Sequence, residues 1–341
     1  MSIKIVLNGA GRIGKSILKQ LLNDENFKIV AINEINPSIE NIVYSINYDS
    51  TYGKLNDKFK VIENSFIQNQ KSKIKITNYK DISELNLDGV DILIDASGQK
   101  TDLNKLRNLK VDKIILTHPQ KDADINIVLG VNEEKIDLKN HKIISTSSCN
   151  ATALLPALKL IDDKKEIICG DIVTIHPLLN HQRVLDGSFV QSATRDVDLN
   201  FEFGRSSTQN IIPSQTTTIK ACSYVLEKFN SNLISSNSLR VPTDTVGVIN
   251  VTLFTKEISS KDEIKNLFLE FEKNQKFPIV LNNFEALVSS DFKKEKFTTI
   301  VDHRFLEVKQ NMIKLLLWYD NEWGYASKVV EILKYIDIKK G

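Results

Sequence analysis

Ile3-Lys-Ile-Val-Leu-Asn-Gly9-Ala-Gly11-Arg-Ile-Gly14 is the stretch that decides the fold, because it joins an apolar β-type run to a glycine turn and a helix start. The first five residues predict a strand, and the residues from Arg12 to Leu22 predict a helix. Glycines with GxGxxG spacing permit a tight turn and close approach of the backbone to a pyrophosphate at the helix N-terminus. The cofactor-binding residues predicted here are Gly9, Gly11, Arg12, Ile13 and Gly14.

An acidic residue closes this first βαβ pattern. A second strand is predicted over Lys28–Ile32, and Glu34 follows it, 20 residues beyond Gly14. A carboxylate at this place accepts hydrogen bonds from a ribose diol and repels a 2′-phosphate. NAD is therefore the predicted cofactor, and NADP is the alternative.

Further alternation of apolar runs predicts a doubly wound parallel sheet, an α/β Rossmann fold, in the first part of the chain. After Asn150 one helix is followed by longer β segments, which predict a second, α+β domain with a largely antiparallel sheet. The predicted later strands of the first sheet cover 90–94, 113–116, 125–129 and 142–144; those of the second cover 172–175, 246–254 and 312–318; the later helices cover 151–161, 260–271 and 326–338. The predicted domains are 1–148 for NAD binding, 149–320 for catalysis, and 321–341 as a C-terminal helix that packs back on the NAD-binding domain.

The composition fits this two-domain reading. The chain has 341 residues, 41% hydrophobic and 26% charged, with a formal net charge of +2. Chains of this length usually divide into two cores, and the dispersed charge predicts no nucleic-acid partner. No run of 18 apolar residues and no leader pattern occur, so we expect neither a membrane partner nor secretion. Three cysteines without CxxC spacing predict a reducing cytoplasm and no metal site.

Two residues in the second domain are candidates for covalent chemistry. Cys149 lies between a predicted strand and a predicted helix, where the helix N-terminus favours a thiolate. His176 ends a β segment and could pair with that thiolate and move protons. The alternatives are a small buried cysteine and a structural histidine, since spacing alone does not show that the side chains meet.

At this point the sequence resembles the phosphorylating glyceraldehyde-3-phosphate dehydrogenase family, which includes erythrose-4-phosphate dehydrogenases. The resemblance runs almost from end to end of the chain. The motifs that carry it, in the family's order, are Asn8–Gly14, Tyr48–Gly53, Val128–Asn132, Ser148-Cys149, Thr174–His176, Ile211–Ser214, Arg240–Thr243 and Trp318–Gly324.

The resemblance implies roles for several residues. Cys149 would be the acylated nucleophile and His176 its base, while Asn321 would hold the nicotinamide carboxamide. Ser97, Gly98 and Thr117 would flank the nicotinamide end of the cofactor. The residues implied for substrate or phosphate are Ser148, Asn150, Arg205, Thr216 and Arg240. The resemblance also implies glycolytic chemistry on a phosphorylated sugar aldehyde, with inorganic phosphate as a further partner, and a homotetramer.

The sequence departs from the family near these residues. Asn150, Ala151, Thr152 and Ala153 replace the two threonines, asparagine and cysteine that usually follow the nucleophile. Leu179 and His181 replace a phosphate-binding threonine and an acid, and Thr217 and Thr218 stand where glycine and alanine are usual. A polar stretch from Gly187 to Gly204 predicts a loop longer than the family's, near cofactor and subunit contacts.

These departures leave three functions open. The first is NAD-dependent oxidation of glyceraldehyde 3-phosphate or a close relative, with phosphate or water resolving the thioester. The second is erythrose-4-phosphate dehydrogenation, which the residue at position 179 favours. The third is a catalytically silent dinucleotide-binding scaffold, in which the three cysteines would react equally slowly with an alkylating agent.

Overall fold

The computed structural model describes residues 2–63, 65–99, 102–188 and 201–340. The chain divides into two compact units. The first unit holds residues 1–127, 135–146 and 326–341, and the second unit holds residues 128–134 and 147–325. Most of the predicted 187–204 loop, residues 189–200, lies outside the described residues.

The first unit contains one sheet and three helices among its described residues before the C-terminus. Their bounds are β1 Ile3–Asn8, α1 Arg12–Leu21, β2 Phe27–Asn33, α2 Ile39–Asn47, β3 Lys60–Glu63, β4 Phe66–Gln68, β5 Lys73–Thr77, β6 Ile92–Asp95, α3 Leu103–Asn108, β7 Lys113–Leu116, β8 Ile125–Asn126 and β9 Ile143–Ser145. The strand order is β3-β4-β5-β2-β1-β6-β7-β9-β8. All neighbours from β5 onward in this order pair in parallel, whereas β3 and β4 pair antiparallel. The predicted doubly wound parallel sheet is confirmed.

Burial explains why the central strands read as continuous apolar runs. Ile5, Val6 and Leu7 of β1 are all at most 1% exposed, as expected for a strand covered on both faces.

The prediction of a strand through Leu129 was wrong, because β8 ends at Asn126. The Val128 N–H donates to the Asn132 side chain over 3.0 Å, which closes a turn instead.

The second unit is built around a largely antiparallel sheet. The element bounds are α4 Cys149–Lys165, β10 Ile167–His176, β11 Ile212–Ser214, α5 Thr218–Val225, β12 Ile234–Arg240, β13 Gly247–Thr255, α6 Lys261–Asn274, β14 Val280–Asn283, β15 Thr299–Asp302, β16 Glu307–Lys309 and β17 Met312–Tyr319. The order is β11-β12-β10-β13-β17-β15-β14, with β16 on β17. Only the β10/β12 and β14/β15 pairs of this described sheet are parallel.

The sequence predicted the presence of the helices more accurately than the residues at which they begin and end. Helix α4 begins at Cys149, two residues before the predicted start, because Ser148 is its N-cap and accepts the Ala151 N–H over 3.2 Å. The last helix, α7 (Trp323–Lys340), belongs to the first unit from residue 326 onward. There Ser327 donates a hydrogen bond to Gln20 over 2.8 Å. Among the described residues, no helix is both long and apolar enough to cross a membrane.

Candidate active site

The glycine turn of the first unit is tightly packed on one side and open on the other. Gly9 has a φ of 97°, a left-handed value that favours glycine, and a Cβ there would lie 2.6 Å from the Ala96 carbonyl oxygen. A Cβ on Gly14 would overlap the Gly9 carbonyl oxygen, whereas a Cβ on Gly11 would meet no atom within 4 Å. Because α1 begins at Arg12 and its first N–H groups are unpaired within the helix, the open side fits a pyrophosphate.

Arg12, beside Ile13 in the first turn of α1, is held by an acid and an aromatic ring. Its Nη1 lies 2.8 Å from Asp49 Oδ2, and its guanidinium lies 5.3 Å from the centre of the Tyr52 ring. Burial raises the pKa of Asp49, but the Tyr52 N–H and the Arg12 charge outweigh it and leave that pKa lower than usual. Asp49 is therefore a fixed anion that orients Arg12 beside the glycine turn.

Glu34 lies just past the end of β2 and reaches back to the glycine turn. Its Oε2 accepts the Ala10 N–H over 2.8 Å, and Oε1 accepts the Asn36 N–H over 3.4 Å. A carboxylate has about four acceptor positions, so capacity remains for the two hydroxyls of a ribose. The negative charge disfavours a phosphate in the same place.

A buried polar network runs along the carboxyl ends of the first unit's strands, and the sequence did not predict it. Asn33 donates to Asn8 over 2.8 Å, and Asn8 donates to Asp95 Oδ1 over 3.0 Å. Ser97 donates its hydroxyl to the same oxygen over 2.7 Å, and Thr117 donates to the Asp95 carbonyl over 3.1 Å. The network fixes Ser97 and Thr117, two of the predicted cofactor residues, on neighbouring strand ends; the third, Gly98, follows with a φ of 69°.

The second unit brings the two candidate catalytic side chains together. Cys149 is the first residue of α4, and its Sγ lies 3.8 Å from His176 Nε2 at the end of β10. His176 is 4% exposed, and its Nδ1 lies 2.9 Å from the Pro177 carbonyl oxygen. Since a carbonyl only accepts, Nδ1 carries the hydrogen, which leaves Nε2 of the neutral ring as an acceptor facing the sulfur.

Asn150 connects the cysteine to two hydroxyl groups. Its Oδ1 accepts the Tyr319 hydroxyl over 2.6 Å and lies 3.5 Å from the Cys149 sulfur. Its Nδ2 donates to Thr218 Oγ1 over 2.9 Å, and that hydroxyl lies 2.7 Å from the hydroxyl of Thr216. The predicted residues Asn150 and Thr216 thus belong to one hydrogen-bonded group next to Cys149.

Tyr319 is a site residue that the sequence reading did not single out, although it lies inside a quoted motif. It is 1% exposed, and burial raises its pKa well above the usual value, as does the Cys149 charge, against the opposing effect of Arg240. A Cβ on Gly247 would lie 2.5 Å from the Tyr319 hydroxyl. The glycine therefore leaves the space that the tyrosine occupies, and its position in β13 opposite Tyr319 could not be read from spacing.

The predicted arginines lie in different surroundings. Arg240 ends β12, directly opposite His176 in the β10/β12 register, and it is 8% exposed. Arg205 is largely exposed, and its Nε lies 3.1 Å from Asp186 Oδ2. The structure therefore places Arg240 at the strand end that carries His176, whereas the contact found for Arg205 is an exposed ion pair.

Asn321 is held in one orientation by the backbone. Its Oδ1 accepts the Val246 N–H over 3.0 Å and the Thr245 hydroxyl over 3.2 Å. Val246 has a φ of 67°, which is uncommon for a β-branched residue. Because its carbonyl oxygen is engaged, the side chain presents its NH₂ group on the other side, and an amide donor suits a carboxamide oxygen.

The other cysteines differ from Cys149. Cys222 is fully buried, and burial raises the pKa of its thiol. Cys169 is exposed on β10.

Among the described residues there is no cluster of three or more His, Cys, Asp or Glu side chains that could hold a metal ion.

Comparison with known proteins matches both units. The family model for the glyceraldehyde 3-phosphate dehydrogenase NAD binding domain matches residues 3–103, and the model for the C-terminal domain matches residues 148–321. The glyceraldehyde-3-phosphate dehydrogenase of Priestia megaterium is 33% identical, with 99% of each chain covered. Glyceraldehyde-3-phosphate dehydrogenase 1 of Bacillus subtilis is 31% identical over 100% of each chain, and the Buchnera aphidicola enzyme of that name is 34% identical over 99% of this chain and all of its own.

Proposed function

Because the chain belongs to the glyceraldehyde-3-phosphate dehydrogenase family, we propose that it oxidises glyceraldehyde 3-phosphate or a close relative through a thioester on Cys149. Family membership makes it an NAD-dependent dehydrogenase that acts on a phosphorylated sugar aldehyde. The observation that carries the finer proposal is the 3.8 Å separation between Cys149 Sγ and His176 Nε2. The scaffold alternative predicts equally slow alkylation of the three cysteines, whereas this pair supports a more reactive Cys149.

The residues present perform the steps as follows. The Cys149 thiol passes its proton to His176 Nε2, and the thiolate adds to the aldehyde carbon. The imidazolium then returns the proton to the new alkoxide, which gives a thiohemiacetal. His176 Nε2 then accepts the hydroxyl proton while a hydride leaves the same carbon, so that a thioester remains on the sulfur. NAD, when bound, supplies the hydride acceptor, and in the first unit the glycine turn and Glu34 are the groups that would hold it.

The last step releases the acyl group. Inorganic phosphate attack on the thioester carbon expels the Cys149 thiolate and gives an acyl phosphate, whereas water attack gives an acid. Arg240 and Thr216 support binding of a phosphate group, because a buried guanidinium and a hydroxyl donor suit its oxygens. We include inorganic phosphate as a partner and a homotetramer in the cytoplasm in this proposal, on the family resemblance.

A kinetic assay tests the proposal. The purified protein is mixed with NAD and either glyceraldehyde 3-phosphate or erythrose 4-phosphate, with and without phosphate, and NADH absorbance is followed. We expect NADH with the first aldehyde and a higher rate when phosphate is present. Absence of NADH with both aldehydes would refute turnover, and a faster rate with erythrose 4-phosphate would favour the alternative substrate.

A further inference from the structure

The hydroxyl groups beside Asn150 can carry hydrogen bonds in two directions. Thr218 Oγ1 accepts the Asn150 amide, and Thr216 Oγ1 accepts the Thr218 backbone N–H over 3.2 Å. Either threonine can donate in the 2.7 Å contact between their hydroxyls. Thr218 is buried, whereas Thr216 is half-buried, so Thr216 is the member that a ligand can reach.

A hydrogen-bond acceptor bound at Thr216 would select one direction for the hydrogen bonds between Thr216, Thr218 and Asn150. If a phosphate oxygen takes the Thr216 hydrogen, Thr218 must donate to Thr216 and accept from Asn150 Nδ2. That order keeps Asn150 Oδ1 facing both the Tyr319 hydroxyl and the Cys149 sulfur, which is 3.5 Å away. An acceptor oxygen beside the sulfur favours the thiol over the thiolate.

Without that acceptor the reverse order is open. Thr216 then donates to Thr218, Thr218 donates to Asn150, and the Asn150 amide turns its NH₂ group towards the sulfur and the Tyr319 oxygen. Both neighbours of the amide are hydroxyls, which rotate to suit either orientation. An N–H donor beside the sulfur favours the thiolate, so the two orders differ in the reactivity of Cys149.

We propose that Asn150 is a positioning residue that links phosphate at Thr216 to the ionisation of Cys149 through the Thr218 hydroxyl. This inference rests on the proposed function for the placement of a phosphate group at Thr216. The link stabilises the thiolate while the phosphate position is empty and the sulfur must attack the aldehyde. It favours the protonated thiol over the thiolate once phosphate occupies that position. Around this network the structure also places the titratable or charged side chains of His176, Tyr319 and Arg240.

Alkylation measures the link without turnover. Iodoacetamide, which is uncharged, is reacted with the full chain over a range of pH, and modification at Cys149, Cys169 and Cys222 is followed separately by mass spectrometry of peptides. Inorganic phosphate alone is the first probe, and glycerol 3-phosphate is the second, so that free phosphate and a phosphomonoester are distinguished. Sodium chloride at matched ionic strength controls for screening.

In the unaltered protein we expect saturating phosphate to slow Cys149 alkylation about threefold to tenfold at pH 7, as a shift of the profile by about half to one pH unit requires. Part of this effect is direct repulsion by the anion. Thr218→Val preserves shape but removes the hydroxyl, and we expect it to reduce the phosphate effect to about twofold or less. Ser223→Ala removes a hydroxyl from the same helix, where Ser223 donates to the Lys220 carbonyl, and should keep the full effect.

An undiminished phosphate effect in Thr218→Val would overturn the inference. Should that variant fail to fold, as judged by tryptophan fluorescence, Thr218→Ala gives the same decision, since it removes the same hydroxyl with a smaller side chain and leaves Thr216 in place. The proposed function is judged separately by NADH formation. A protein that shows the link but forms no NADH would refute the dehydrogenase mechanism and leave the link intact. A protein that forms NADH but shows no link would refute the link and leave the dehydrogenase mechanism intact.

Discussion

The glycine turn of the first unit and the cysteine centre of the second unit differ in how their residues are spread along the chain. The turn uses residues 9–14, and the groups that it would offer to the proposed cofactor are backbone N–H groups at a helix start. The centre takes side chains from five elements: α4, β10, α5, β12 and β17. A local backbone site is readable from spacing, whereas a side-chain site depends on strand register.

Removing the proposed nucleophile should separate the two sites most clearly. We expect Cys149→Ser to lower kcat on the order of 10⁴-fold, because an alcohol is a far weaker nucleophile than a thiolate beside His176. NAD binding to the first unit should be unchanged, which fluorescence titration measures. Activity within tenfold of the unaltered enzyme would contradict the covalent role of the cysteine.

A backbone clash in the glycine turn should instead weaken NAD binding and leave the reactivity of Cys149 unchanged. In Gly14→Ala the added Cβ would overlap the Gly9 carbonyl oxygen, so the turn must shift. We expect NAD affinity to fall on the order of tenfold to a hundredfold, as a distortion of about 1–3 kcal/mol implies. Rapid alkylation of Cys149 should persist. Asn108→Ala, at an exposed position of α3 in the same unit, is the control. Equal NAD affinity in both variants would show that the turn tolerates a side chain.

The contrast between a local backbone site and a site that depends on strand register also explains which parts of the fold the sequence predicted. The order of strands and helices around the glycine turn follows from apolar runs and turn residues, and the doubly wound sheet was predicted correctly. Strand β12 was missed, because its inward-facing residues Ser238 and Arg240 are polar and break the alternation of apolar residues that identifies a strand. Its register against β10 is what brings Arg240 beside His176.

Within the site, resemblance supplied residues that physical reasoning from spacing could not connect. Cys149 and His176 were candidates separately, and only the coordinates give their separation. The bond between Asn150 and Thr218 joins positions 68 residues apart, both of which depart from the family pattern. Two departures that looked unrelated in sequence are therefore joined by one hydrogen bond.

A smaller effect should distinguish the proposed contact of Glu34 with the cofactor ribose from the rest of the turn. We expect Glu34→Ala to weaken NAD binding about tenfold through loss of the hydrogen-bond acceptor, and to improve NADP binding relative to NAD by removing a negative charge. Kd values for both dinucleotides measure this. Glu25→Ala, at an exposed acid in the same unit, is the matched control. An unchanged ratio of the two affinities would remove Glu34 from cofactor selection.

The smallest effect concerns a buried histidine that lies outside the glycine turn and the cysteine centre. His303 in the second unit is 5% exposed, hydrogen-bonded to Asn282 and stacked on Phe284 at 4.6 Å. Burial, reinforced by the charge of Lys265, lowers its pKa from 6.5 to about 4. Between these pH values the unfolded chain binds more protons than the folded chain, so stability is full above pH 6.5 and falls as pH drops towards 4.

His303→Gln should reduce that loss, because glutamine retains a hydrogen-bond donor but does not titrate. Both tryptophans of the chain, Trp318 and Trp323, belong to the second unit, so urea unfolding followed by their fluorescence reports on the unit that contains His303. We expect the unfolding midpoint of the variant to change less between pH 6.5 and 4.5 than that of the unaltered protein. His141→Gln, in the first unit, should leave the fluorescence-detected slope unchanged. Parallel slopes for all three proteins would mean that acid acts on the second unit through groups other than His303.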